Sequence, residues 1–152
     1  MNKFAPIIIV LFLVLFCNHT NAQDWKYDFE EATTLAKEKD QNIVLLFTGS
    51  DWCPPCMRLE KYILSDKEFI EYAGKNFVWV KADFPKRRKN KLTAIQRSKN
   101  KALARKYNKR MSFPVILVLN NDGTVLGATG YRRNLDVKSC ISLLTSFDSF
   151  GR

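Results

Sequence analysis

Histidine is all but missing from this chain of 152 residues: the only one is His19, near the N-terminus. Cysteine is scarce as well, with four residues at positions 17, 53, 56 and 140. The longest apolar run, Phe4 to Phe16, falls short of the roughly 20 residues a membrane-spanning helix needs. Acid is absent from one long stretch, Lys86 to Arg110, which carries twelve Lys and Arg side chains and no Asp or Glu. Each scarcity excludes a class of chemistry. No histidine base is available from the residues beyond position 22. Three thiols beyond that point are too few for a disulfide-stapled scaffold and one short of an all-cysteine zinc site. No metal and no cofactor is therefore expected.

What is present begins with a leader. Lys3, the apolar run, polar Asn18-His19-Thr20-Asn21 and small Ala22 have the layout of a signal peptide cleaved before Gln23. Bulky Phe16 before Cys17 speaks against a lipoprotein site. Residues 1–22 are thus expected to be removed and residues 23–152 to form one domain, periplasmic or secreted. Cleavage takes away His19 and Cys17 and leaves 24 basic against 15 acidic side chains.

The chemistry points to one stretch. Ile43-Val44-Leu45-Leu46-Phe47 reads as a buried strand and leads through Thr48-Gly49-Ser50-Asp51-Trp52 into Cys53-Pro54-Pro55-Cys56. Helical spacing of Met57, Leu59, Ile63 and Leu64 follows. A Cys-x-x-Cys pair on a strand-to-helix turn is the arrangement expected of a thiol–disulfide redox centre. Cys53 would attack, being at the helix N-terminus, and Cys56, one turn in and more buried, would resolve. Pro54 and Pro55 fit the first turn, where amides are unpaired anyway, but each removes a donor from the Cys53 sulfur.

Around this centre the patterning predicts a helix capped by Asp28, a helix opened by Ser65 with Glu68, and a strand over residues 76–83. Asn100 is expected to cap a helix with Ala102, Leu103 and Tyr107 inward. An apolar strand, Val115 to Leu119, then turns at Asn120-Asn121-Asp122-Gly123 into a hairpin partner. Asn134 is expected to cap the last helix, whose apolar side includes Cys140. That thiol reads as structural, with a regulatory disulfide as the alternative. The basic segment 86–110 reads either as a solvated face or as a docking surface for an anionic partner. Nucleic acid is a poor partner for an exported chain, and the segment has no aromatic ladder for stacking bases.

The order α-β-α-α-β-α-β-β-α, with Trp52-Cys53-Pro54-Pro55-Cys56, Phe113-Pro114 before an apolar strand, Asp122-Gly123 and Gly130, resembles the thioredoxin superfamily from about Trp25 to Phe147. Phe47-Thr48-Gly49-Ser50-Asp51-Trp52-Cys53 is similar, more narrowly, to its small exported bacterial members. The resemblance implies an α/β thioredoxin fold, a central mixed sheet with helices on both faces. It also implies a cis bond at Phe113-Pro114, a substrate-facing role for Trp52, Phe113 and Pro114, and exchange with disulfide-bearing exported proteins, with a second redox partner. One departure stands out. Thioredoxins usually carry a buried aspartate on the strand before the motif, whereas Leu45-Leu46-Phe47 has no acid. Asp51, Glu60, Asp83 or water remain as proton relays for Cys56, and the resemblance implies reduction of protein disulfides, with an oxidase or isomerase direction as the alternative. A binding module with a structural Cys53–Cys56 disulfide is the competing reading.

Overall fold

The computed structural model describes residues 23–149, so the expected signal peptide, 1–22, lies outside the described residues. In chain order the elements are β1 (Trp25–Lys26), α1 (Phe29–Lys39), β2 (Asn42–Thr48) and α2 (Pro54–Leu59). A π-helical turn over Glu60–Leu64 continues α2. Then come α3 (Lys67–Asn76), β3 (Phe77–Asp83), a 3-10 turn over Arg88–Asn90, α4 (Ala94–Tyr107), β4 (Val115–Leu119), β5 (Val125–Thr129) and α5 (Val137–Ser149).

The five strands form one sheet in the order β1-β3-β2-β4-β5. β3 runs parallel to β1 and β2, and β4 and β5 join antiparallel. β2 is central, and all seven of its residues are buried, which is why it reads as an unbroken apolar run rather than an alternating one. The period of two still sorts its side chains between two cores. Val44 and Leu46 join Trp79, Ile116 and Val118 under α2, α3 and α5. Ile43, Leu45 and Phe47 join Val78, Val80, Leu117 and Leu119 under α1 and α4. In the first core Trp79 meets Trp25, Phe69 and Phe77 edge-on and donates its indole N–H to the Ala73 carbonyl at 3.2 Å. Truncating such a residue typically costs about 3–5 kcal/mol.

Helix starts depart from the sequence expectations at three places. Thr93, not Asn100, caps α4, its hydroxyl accepting from Gln96 N–H at 3.1 Å. The uniform charge of residues 86–99 hides that first turn from hydrophobic patterning. Asn100 is instead buried mid-helix and donates to the Asp83 carbonyl at 2.7 Å. Ala104 faces the core in place of exposed Ala102. Asp66 rather than Ser65 caps α3, and Asp136 rather than Asn134 accepts from Ser139 N–H before α5.

Candidate active site

The Cys pair is delivered by a tight turn off the end of β2. The amides of Trp52 and Cys53 both donate to the Gly49 carbonyl, at 3.3 and 3.0 Å, which folds five residues back on themselves. Cys53 then takes the N-cap position of α2, with Pro54 and Pro55 as its first helical residues. Neither proline has an N–H, so Cys56 supplies the first amide the helix can offer. That amide donates to Cys53 Sγ at 3.3 Å. Cys53 and Cys56 are joined as a disulfide, with their Cα atoms 5.3 Å apart. Gly49 N–H approaches Cys56 Sγ at 3.5 Å. The two residues are equally buried, 4% and 3% exposed, so the expected contrast in accessibility is missing from the oxidised form.

Trp52 roofs this turn. Its ring lies so close over Gly49 that a Cβ there would sit 2.5 Å from the indole. Lys86 Nζ stands 3.8 Å above the ring centre, and Phe113 meets the ring edge-on at 5.6 Å. Phe113 also touches Phe84, at 5.4 Å between centroids, so the three rings form one row. The Phe113–Pro114 peptide is cis. Pro114 is buried, and because Val115 pairs with Phe47 it lies level with Thr48, where the chain leaves for the motif. The loop before it hangs on Asn108. That buried side chain accepts from Ser112 N–H at 3.0 Å and donates to the Ser112 carbonyl at 2.8 Å. Sequence patterning does not single out Asn108, since an asparagine after a helix is ordinary.

The three acids near the motif have different jobs. Asp51 is a staple: it accepts from the backbone amides of Lys86 (2.9 Å) and Arg87 (3.0 Å) and from Asn90 Nδ2 (2.9 Å). The Lys86 amide above all, then the Asn90 side chain and the Arg87 amide, hold its carboxyl below the usual range. Asp83 is engaged with Ser50, through the amide at 3.0 Å and the hydroxyl at 2.6 Å. Glu60 alone of the three shares a cavity with Cys56. That cavity, of about 360 Å³, is lined also by Thr48, Met57 and Lys81. Lys81 Nζ reaches the Glu60 carboxylate at 3.3 Å and lies 4.1 Å over the Trp25 ring. Lys81 follows Phe77 and Trp79 on the α2 face of β3, at the level of Leu46 in β2. A cation and a carboxylate thus stand beside Cys56, the carboxylate coming from the helix and not from the strand.

Cys140 is fully buried on α5 and unpaired, and burial pushes its thiol from 9.0 up to about 12. Among the described residues no three His, Cys, Asp or Glu side chains gather so as to hold a metal ion.

A βαβ half feeding an antiparallel hairpin, with a cysteine pair opening a helix beside a cis-proline, defines a protein of the thioredoxin fold. The chain belongs to the thioredoxin-like family: the profile of the thioredoxin-like domain matches residues 29–139. Among its relatives is the disulfide bond reductase DsbH of Chlamydia pneumoniae, 36% identical over 103 residues, 68% of this chain and 60% of that protein. Another is the thioredoxin-related protein DsbJ of the same organism, 33% identical over 98 residues, 64% of this chain and 27% of that protein. The match thus spans under two thirds of either relative's length. A solved DsbH oxidoreductase structure superposes with a TM-score of 0.76 at 31% identity, covering 83% of this chain and 84% of that one.

Proposed function

We propose that the protein is a thiol–disulfide oxidoreductase that reduces disulfides of exported proteins, with Cys53 as nucleophile and Cys56 as resolving thiol. The observation that carries this reading is the Cys53–Cys56 disulfide at the start of α2, with Cys56 N–H aimed at Cys53 Sγ. A donor in that position, at the N-terminus of α2, favours a thiolate on Cys53. In the reduced protein the Cys53 thiolate attacks one sulfur of the target disulfide, and the other sulfur leaves as a thiolate and takes up a proton. Cys56 then loses its proton and attacks Cys53 Sγ. The second target sulfur departs, and the Cys53–Cys56 disulfide forms. Two electrons and two protons from a thiol-bearing donor restore the starting state.

Proton transfer from Cys56 falls to Glu60. Asp51 and Asp83 are occupied by the loops they hold, whereas Glu60 opens onto the cavity that Cys56 lines, with Lys81 beside it to steady its charge. Trp52, Phe113 and Pro114 form the wall against which an extended substrate would lie. The direction, reduction, draws on the name of the DsbH relative. Export draws on the composition of residues 1–22, with residues 23–152 as the mature domain.

Trapping and electrochemistry test the reading together. A Cys56→Ser protein should accumulate mixed disulfides through Cys53 with proteins of the exported fraction, and a Cys53→Ser protein should not. A Cys53–Cys56 potential near about −270 mV supports a reductase, and one near about −120 mV overturns that direction in favour of an oxidant.

A further inference from the structure

The cations of the acid-free segment differ in what they touch. Lys86 lies over Trp52, Lys106 over Tyr107, and Lys99 pairs with Asp28, tying α4 to the start of α1. Arg97 donates to the Leu92 carbonyl. Lys101, Arg105 and Lys109 are different. Spaced four apart, they form one stripe along α4 and just past its end, and among the described residues no carboxylate lies within 4.0 Å of any of them. All three border one open cavity of about 360 Å³, whose apolar lining includes Phe84 and Met111.

Two further features single out this groove from an ordinary solvated helix face. Met111 is 46% exposed and held at φ +51°, so the loop presents an apolar side chain to water from a backbone conformation that methionine rarely adopts. Phe84 connects the groove to the exchange site. Its ring packs on Phe113, Phe113 packs on Trp52, and the Phe84 carbonyl accepts the Trp52 indole N–H. A chain lying along the Phe113 wall would therefore continue onto a surface that is apolar at its floor and cationic at its rim.

We propose that the Lys101–Arg105–Lys109 groove docks an acidic segment of the partner protein, flanking the disulfide to be exchanged and carrying an apolar side chain over Phe84 and Met111. This deepens the oxidoreductase reading by naming a substrate class, and rests on it. Complementary charge at such a rim raises encounter rate and selects among partners.

The probe is a synthetic peptide with one internal disulfide followed by a Glu/Asp-rich stretch containing a leucine, alongside a twin with Gln and Asn in place of the acids. Wild type should favour the acidic peptide in kcat/KM, and Lys101→Glu/Lys109→Glu should lower the acidic-to-neutral ratio by about tenfold. Lys67→Glu/Lys138→Glu, an equal change of charge on the helices of the other sheet face, should leave the ratio within twofold. Equal ratios in all three proteins overturn the proposal. The Glu/Asp-rich stretch alone, without cysteines, is titrated into the oxidised protein at low and high salt. Binding that the Lys101/Lys109 variant loses sustains the groove even if neither disulfide peptide is turned over, an outcome that would remove only the oxidoreductase reading. No binding at low salt overturns the groove itself. Tighter binding to phosphatidylglycerol vesicles, lost in the same variant, would assign the surface to a membrane and also overturn it.

Discussion

The Trp52 indole N–H donates to the Phe84 carbonyl at 2.7 Å, which ties the residue before Cys53 to the residue after β3 across 32 positions of sequence. That bond orients the indole so that one face covers Gly49 and its edge meets Phe113. The site therefore depends on packing between two loops as well as on the Cys pair.

Gly49→Ala tests the packing. The new methyl would overlap the indole, and overpacking of this kind costs about 1–3 kcal/mol. A lower thermal midpoint is expected, with altered Trp52 fluorescence and slower disulfide exchange. An unchanged midpoint and spectrum would mean the ring moves aside at no cost.

Asp51→Asn tests the staple. The carboxyl is held below its ordinary value of 3.8, so it binds protons less readily folded than unfolded. The stability it contributes is full above about pH 4 and is lost as pH falls through the lower folded value. The variant should be less stable than wild type at pH 7, and the gap should close toward pH 3. Denaturant midpoints measured across that range check it, and a gap independent of pH would contradict the assignment.

Glu60→Gln tests the relay. The first attack by Cys53 should be little changed, while release of the mixed disulfide should slow by about tenfold, less than a general base usually supplies because water also reaches the cavity. Stopped-flow release from a preformed mixed disulfide separates the two steps. Equal release rates for Glu60→Gln and wild type would return the role to water.

Cys140 should be silent toward thiol reagents. With its thiol raised to about 12, it stays protonated at neutral pH and sits in a closed core. In the reduced protein Cys53 and Cys56 should react with an aromatic disulfide reagent at pH 8, and Cys140 only after denaturant is added. The sign of the linkage is the reverse of that for Asp51. Its contribution is full below pH 9 and fades as pH rises toward about 12, and Cys140→Ala should abolish that component of alkaline destabilisation.

Much of the architecture was legible along the chain because it rests on local pattern. Seven buried residues of β2, the hairpin turn at Asp122-Gly123 and the cysteines two residues apart each carry their signal within a few positions. The helix starts at Thr93, Asp66 and Asp136 were not legible. Several side chains near each start are able to cap, and which one meets the free amides depends on where tertiary packing sets the first turn.

Sequence alone supplied the parts of the site: a strand, a turn and two thiols one helical turn apart, in a chain whose only histidine is His19. The fold decided which partners each acid meets. Asp51, Asp83 and Glu60 are alike as carboxylates, but loops brought from 33 to 39 residues away occupy the first two. Glu60 instead meets Lys81, placed there by the alternation of β3, beside Cys56. Pairings of that separation follow from sheet register and helix seating, which no short window of sequence contains. The cationic stripe follows the same logic, since composition shows a run of charge and only α4 shows which three members line a groove.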